Sequence, residues 1–132
     1  MRRARAKTAV GDERGSATLV AVAVVGLVLV LSMGVADLGR VLIARSRART
    51  AADAGALAAV QELALPSGLD PSAAARDYVE RNGAVMVACT CAAGTAEAVV
   101  TATIDPGPLL LAPGAHLVTA TARAVVDPAG GP

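Results

Sequence analysis

The longest feature in the pattern of apolar and polar positions is an uncharged run over residues 16–36, SATLVAVAVVGLVLVLSMGVA, with charged residues close before and directly after it. A helix that crosses a bilayer needs about 20 residues at a rise of ~1.5 Å each. The 21 residues of this run therefore predict a transmembrane helix, and we expect the working part of the chain to follow it.

The helical pattern continues beyond the apolar run. No proline occurs between residues 16 and 65, and residues 37–65 are rich in Ala, Leu and Arg, which favour helices. Mostly small residues recur there at spacings of three and four, in a heptad-like stripe: Val41, Ala44, Ala48, Ala51, Gly55 and Ala58. We predict one continuous helix of about 50 residues, roughly 75 Å long, that Pro66 stops.

A short helix and three strands follow. Asp70-Pro71 is typical of a helix start, and the pattern predicts a helix from there to about Arg81, before Asn82-Gly83. Three later segments are rich in Val and Thr and partly alternate: residues 85–91, 97–104 and 116–126. We expect an α+β fold in which a small three-stranded antiparallel sheet packs on the long helix, as in a pilin-like lollipop.

These elements divide the chain into five predicted parts. They are a basic cytoplasmic leader (1–15), a transmembrane segment (16–36), an extramembrane continuation of the helix (37–65), a small α+β domain (66–126) and a disordered tail (127–132). Tyr78 is the one aromatic residue, so the core consists of small aliphatic side chains. Such side chains bury little apolar area, and we expect modest stability unless partners cover the core.

The net charge of +1 is unevenly distributed, with +6 over residues 1–49 and −5 over residues 50–132. The basic residues flank the apolar run and have no aromatic residues among them, which favours a membrane surface over nucleic acid as the partner of the basic half. Because arginines lie on both sides of the run, the positive-inside rule gives only a slight preference for a cytoplasmic N-terminus.

Gly15-Ser16 lies at the junction between the leader and the apolar run. Cleavage after Gly15 would leave the apolar helix on the mature protein, as in type IV prepilin-like substrates. An uncut chain would keep the run as an anchor. A third alternative is a signal peptide cut after Ala36, where Gly34-Val35-Ala36 has the required small residues.

Four features occur in order over residues 14–60: Arg14-Gly15, the apolar run, DLGR at residues 37–40 and AADA at residues 51–54. Together they resemble the N-terminal segment of the TadE/TadG-like proteins of the Flp (Tad) pilus-assembly system, and small actinobacterial members are the nearest likeness. The resemblance implies a single-pass membrane protein that works with other pilus or secretion subunits and has no enzymatic activity.

The chain departs from the family pattern at two points within this segment. Val20 stands where TadE-like pseudopilins usually have a glutamate, at the fifth position after the cleaved glycine. Arg49-Thr50 stands where the family commonly has a glutamine before the AAD motif. The absence of this carboxylate counts against both pilin-like processing and pilin-like subunit docking.

Two groups of residues are candidates for contacts. Asp37 and Arg40 are spaced i, i+3, so they can pair where the helix leaves the bilayer, either to fix its depth or to dock on a neighbouring subunit. The second group is small apart from one carboxylate, which favours packing against another helix or the protein's own sheet over a solvated face. It comprises Ala48, Ala51, Ala52, Asp53, Gly55 and Ala58.

The sequence offers little chemistry for catalysis or metal binding. Cys89 and Cys91 are the only cysteines, and the Cα atoms of strand residues i and i+2 lie ~6.5–7 Å apart, at the outer limit for a disulfide. A strained disulfide, intermolecular disulfides and free thiols all stay open. With His116 as the single histidine, the set is incomplete for zinc, and we expect no metal, cofactor or catalytic site.

We therefore expect a membrane-anchored assembly protein, a minor pseudopilin-like component of a Tad-type pilus or related secretion apparatus that acts by helix–helix packing through the small-residue stripe. Its expected partners are membrane lipid, other pilus or secretion subunits and, as a further option, a second copy of itself, but not nucleic acid. One alternative is a small exported module that binds an unknown ligand, in which the apolar run is only a signal or anchor and the residues after 65 fold alone. A redox or metal enzyme is a third, weaker hypothesis.

Overall fold

The computed structural model describes residues 13–114 and 116–126. It contains two helices followed by three strands: α1 (Glu13–Ala64), α2 (Pro71–Arg81), β1 (Val85–Thr90), β2 (Glu97–Ile104) and β3 (Val118–Val125). The expected α+β fold is confirmed. The predicted tail and most of the predicted leader lie outside the described residues.

The long helix α1 is continuous over 52 residues, which corresponds to about 78 Å. It ends one residue before the predicted boundary. The Glu62 carboxylate accepts hydrogen bonds from the Ser67 backbone N–H at 3.0 Å and from the Ser67 hydroxyl at 2.8 and 2.9 Å. This contact holds the turn that follows α1, where Pro66 cannot continue a helix.

Helix α2 begins and ends as its flanking residues predict. Asp70 is the N-cap and Pro71 the first helical residue, and the Ser72 hydroxyl donates a hydrogen bond to the Asp70 carboxylate, which lowers the pKa of Asp70. At the C-terminus, the N–H of Ala84 bonds to the carbonyl of Val79, and the N–H of Gly83 to that of Glu80. These two bonds form a Schellman motif, and Gly83 takes the required positive φ of +74°.

The three strands form an antiparallel sheet in the order β1-β2-β3. Val100 at the centre of β2 is opposite Cys89 of β1 and Ala122 of β3. The pairing of β1 shifts between Met86 and Ala88, which marks a β-bulge. The bulge changes the alternation of β1, so that Met86 and Cys89, three residues apart, both pack against the core.

One face of the sheet and helix α2 pack on the C-terminal half of α1. The core between them is built mainly from alanines, and its largest fully buried side chains are Val79 and Val100. The buried cluster is Ala51, Ala52, Ala56, Ala59, Ala75, Val79, Ala84, Ala98, Val100, Ala102 and Ala122. Residues 37–65 and 66–126 therefore share a single core, and it is thin because its side chains are small.

The opposite face of the sheet is exposed and carries polar side chains together with valines. The Thr101 and Thr121 hydroxyls lie 3.0 Å apart across β2 and β3, and Arg123 forms an ion pair with Glu97 at 2.7 Å. Cross-strand pairs of this kind stabilise an exposed antiparallel face. Polar pairs thus cover the middle of β2 and β3 on the outer face, where Val85 and Val125 are also exposed, whereas the inner face is buried by α1 and α2.

Candidate membrane-exit site

The N-terminal half of α1 is apolar and uncovered. In the described part of the chain, α1 is the one helix that is long and apolar enough to cross a membrane, judged by length and composition, and none of its most apolar 18-residue window is buried within the protein. A helix that is apolar on all sides and unburied is typical of a membrane span. The residues that directly follow this apolar segment on α1 are therefore candidates for functional contacts.

Asp37, the first charged residue after the run, is held by a distant loop. Its residue surface is only 9% exposed. The two carboxylate oxygens accept hydrogen bonds from the backbone N–H groups of Leu110 and Leu111, at 2.8 and 2.7 Å. The carboxylate thus connects α1 to a loop more than 70 residues later in the chain.

Arg40, one turn further along α1, contacts the same loop. Its guanidinium donates a hydrogen bond to the carbonyl of Pro108. Ion pairs within the described ranges join Arg81 to Asp77 and Arg123 to Glu97, and Asp37 with Arg40 is not among them. The sequence suggested that Asp37 and Arg40 pair with each other. In the structure, each of them bonds the loop instead. Arg40 is still close enough for its positive charge to lower the pKa of Asp37.

The hydrogen bonds from this loop lower the pKa of Asp37 below its ordinary value of 3.8. The largest cause is the N–H of Leu110, the next is the N–H of Leu111, and the positive charge of Arg40 acts in the same direction. Partial burial opposes them by raising the pKa. Since the hydrogen bonds favour the charged form, Asp37 is ionised at neutral pH and can accept both bonds.

The loop that Asp37 and Arg40 hold is residues 106–113, PGPLLLAP, which we call the leucine loop. It lies between β2 and β3, and its Leu110 and Leu111 are half exposed. The side chain of Leu111 lies beside α1 at Gly34: its Cδ1 would be 3.5 Å from a Cβ placed there. The leucine loop therefore reaches the last turn of the apolar run.

The stripe of small residues packs inside the protein. Ala48, Ala51, Ala52, Gly55 and Ala58 are all buried. A Cβ added at Gly55 would lie 2.6 Å from Cγ2 of Val79 and 3.1 Å from the carbonyl oxygen of Ala75. The sequence predicted that this stripe packs against helices of other subunits. In the structure, α2 and the sheet of the same chain cover it instead.

Three further candidate residues are exposed on α1. Asp53 lies on the solvent side of the helix, unlike its small neighbours in the sequence. Gly15 and Ser16, at the candidate cleavage site, lie near the start of α1 and are exposed. The candidate cleavage site is therefore exposed, although it lies within a helix.

Cys89 and Cys91 form an intramolecular disulfide, with Cα atoms 5.5 Å apart. This separation is shorter than expected from two positions of one strand, because β1 ends at Thr90 and the chain leaves the extended conformation there. Over residues 13–114 and 116–126, no group of three or more His, Cys, Asp and Glu side chains is arranged to hold a metal ion. The disulfide packs against the core, which is a structural position.

Comparison with known families identifies the α1 segment. Residues 15–62 match the family model described as "Putative Flp pilus-assembly TadE/G-like". This confirms the family resemblance read from the sequence. The TadE/G-like segment coincides with α1 and includes the apolar span, Asp37, Arg40 and the buried stripe.

The match supports a pilus-assembly component anchored in a membrane, in a family of structural and assembly proteins rather than enzymes. Interaction with other pilus subunits is the partnership that such a family implies. No curated protein and no solved structure matches the chain significantly.

Sequence reasoning missed the leucine loop as part of this site. Residues 105–114 read as an ordinary connection, because prolines and glycines interrupt every regular pattern there. One signal was available: three consecutive leucines between prolines are unusual in a loop exposed to water. Nothing in the sequence indicated that Leu110 and Leu111 contact Asp37, since the loop and the helix are more than 70 residues apart.

Proposed function

We propose that the protein is a minor pseudopilin-like component of a Tad-type pilus or a related secretion apparatus, similar to the small actinobacterial members. It is a single-pass membrane protein with a cytoplasmic N-terminus and an extracytoplasmic α+β domain. The basic residues that precede the apolar run support this orientation. Its partners are other pilus or secretion subunits and the surrounding lipid.

One observation carries the proposal: the TadE/G-like segment is a single helix that serves as both membrane span and domain core. Residues 16–36 are uncovered and apolar, whereas residues 44–59 supply much of the buried cluster. A domain built directly on the continuation of its membrane helix can be carried with that helix from the bilayer into an assembly.

The packing surface available to other subunits is the uncovered part of α1. The small-residue stripe faces the protein's own α2 and sheet, so it is not free for helix–helix association. The apolar span is free, and just above it three large apolar side chains of α1 are exposed: Leu38, Leu42 and Ile43. Helix–helix packing therefore uses residues 16–43, and exchanges lipid contacts for subunit contacts.

The alternative, a binding module that folds from residues after 65, is disfavoured by the same core. Ala51, Ala52, Ala56 and Ala59 of α1 are buried against α2 and the sheet. Without them, the inner face of the sheet would be exposed to water. A signal-peptide cut after Ala36 is also less suitable, since it would divide α1 within its regular turns.

The test is the N-terminus of the mature protein, determined by mass spectrometry of membranes from the native host. We expect a start at Ser16, and a Gly15→Leu variant should remain uncut, because prepilin-type processing requires the small residue before the cleaved bond. A Gly26→Leu variant, changed inside the span, is the matched control and should be processed normally.

Other starts would give different answers. An uncut wild-type chain would make the protein a fixed single-pass anchor and an accessory rather than a pseudopilin-like subunit. A mature protein that starts at Asp37 would contradict membrane anchoring altogether.

A further inference from the structure

We propose that the leucine loop is a second membrane contact, inserted into the lipid interface beside the exit of α1. The occupant of its exposed apolar surface is the outer part of the bilayer, where acyl chains meet headgroups. The inference rests on the proposed membrane anchoring of residues 16–36, and it adds a site in the domain that the anchor alone does not require.

The first argument is the depth of the loop. Leu111 lies against α1 at Gly34, three residues before Asp37. At a rise of ~1.5 Å per residue, this position is about 4.5 Å further into the membrane than Asp37. If residues 16–36 span the bilayer, a side chain at the level of Gly34 lies at the depth of the lipid. The leucines of the loop then extend the apolar surface of the helix.

The second argument is the composition of the loop surface. Leu110 is 55% exposed and Leu111 is 50% exposed, although the domain buries smaller residues completely. The leucine loop, residues 106–113, contains no Asp, Glu, Lys, Arg or His. Adjacent exposed leucines at the edge of a membrane span are suited to interfacial insertion.

The third argument is the hydrogen bonding of the loop backbone. Irregular backbone is costly in lipid, because each N–H and C=O without a partner loses its bond to water. Three of the eight residues in the loop are prolines, which have no N–H. The remaining donors include Gly107, which bonds to Asp105 at 2.8 Å, and Leu110 and Leu111, which bond to Asp37.

Two loop carbonyls also have partners. That of Pro108 accepts from Arg40, and that of Ala112 is 3.0 Å from Nε2 of His116. Asp37 and Arg40 thus act from α1 to satisfy the loop backbone and to set its depth. A loop that only connected two strands in water would not need these bonds, since water would supply them.

The test uses tryptophan, which the protein lacks. Three single variants of the full chain, Leu110→Trp, Val35→Trp and Leu69→Trp, would be reconstituted in phosphatidylcholine vesicles with and without bromine on the acyl chains. All three residues are exposed in the protein, at 55%, 72% and 64%. Val35 reports the span, and Leu69 reports the far end of the domain, about 40 Å beyond Asp37 along α1.

We expect brominated lipid to quench the emission of L110W and V35W at least about twofold and to leave L69W unchanged, since only chains at lipid depth meet bromine. If V35W is quenched and L110W behaves like L69W, the loop does not enter lipid and the inference is overturned while anchoring stands. If V35W also escapes quenching, the proposed anchoring fails, and the inference fails with it.

A second comparison tests the role of Asp37. Asn has one acceptor oxygen, so Asp37→Asn removes a bond to the loop; combined with L110W, it should reduce quenching by about half. Asp77→Asn, at an exposed carboxylate of α2, is the matched control and should have no effect. Equal quenching in both double variants would show that Asp37 does not set the depth of the loop.

Discussion

The two halves of α1 have the same backbone geometry and opposite surroundings. Residues 16–36 carry Val and Leu on all sides, and these large apolar side chains are exposed. Residues 44–59 carry alanines on the face that is completely buried. The less hydrophobic half of the helix is thus the one that the protein covers.

The two halves therefore differ in side-chain size as well as in hydrophobicity, and side-chain size explains why the less hydrophobic half is the one that packs inside the protein. Large aliphatic residues maximise contact with lipid, which conforms to any shape. Alanines and Gly55 allow α2 and the sheet to approach the helix closely, where dispersion contacts and the exclusion of water stabilise the domain. Three variants test this comparison, and we give them in order of decreasing effect on the domain.

The largest effect is expected from Gly55→Ala, because the added Cβ would lie 2.6 Å from Cγ2 of Val79. We expect it to lower the free energy of unfolding by about 1–3 kcal/mol, as overpacked core variants do. The measurement is the thermal unfolding of the detergent-solubilised protein by scanning calorimetry.

Gly39→Ala is the matched control, on the same helix. A Cβ at Gly39 meets no atom within 4 Å, so the change should be neutral or stabilise the protein by up to about 1 kcal/mol through helix propensity. If both variants increased the free energy of unfolding, the close packing at Gly55 would not contribute to the stability of the domain.

An effect of similar size, and no larger, is expected from Val100→Ala, which leaves a cavity in the core beneath the sheet. Val100 is one of the two largest fully buried side chains, and its truncation should cost about 2 kcal/mol. Val28→Ala removes the same atoms from the exposed span and should leave the unfolding of the domain unchanged. Equal losses for the two variants would contradict the division of α1 into an uncovered half and a core half.

The smallest effect on the domain as a whole is expected at Asp37, where the change is local. Its pKa is lowered in the folded state, so the hydrogen bonds to the leucine loop contribute fully above the ordinary pKa of 3.8 and are lost as the pH falls through the lower folded value. The amide proton shifts of Leu110 and Leu111 in detergent, followed by NMR, should therefore change only at acidic pH below 3.8.

Two controls accompany this titration. The amide of Leu65, bonded to the carbonyl of Gln61, should not follow the same curve. In Asp37→Asn, the acid transition of the loop amides should disappear, because the side chain no longer titrates. A transition that persists in this variant would assign the effect to another group.

Much of the fold follows from local sequence signals. The apolar run and the absence of proline predicted α1, Asp70-Pro71 and Asn82-Gly83 predicted the ends of α2, and Val- and Thr-rich segments predicted three strands close to their observed bounds. Each of these signals acts within a few residues, through backbone restriction or side-chain periodicity. The bulge in β1 and the exit from the strand at Thr90 were not predicted, since they depend on how β1 meets β2.

The sequence by itself determined that residues 16–36 are apolar and long enough to cross a membrane, the α+β order of elements and the likeness to the TadE/G-like family, because composition and spacing are sufficient for these. Only the tertiary structure decided that the small-residue stripe packs on the protein's own domain, and that Asp37 and Arg40 bond the leucine loop instead of each other. Both depend on contacts between residues far apart in the chain, and local patterns do not specify which distant surface meets which. The backbone N–H groups of Leu110 and Leu111 bond the Asp37 carboxylate only because the sheet brings their loop to the helix.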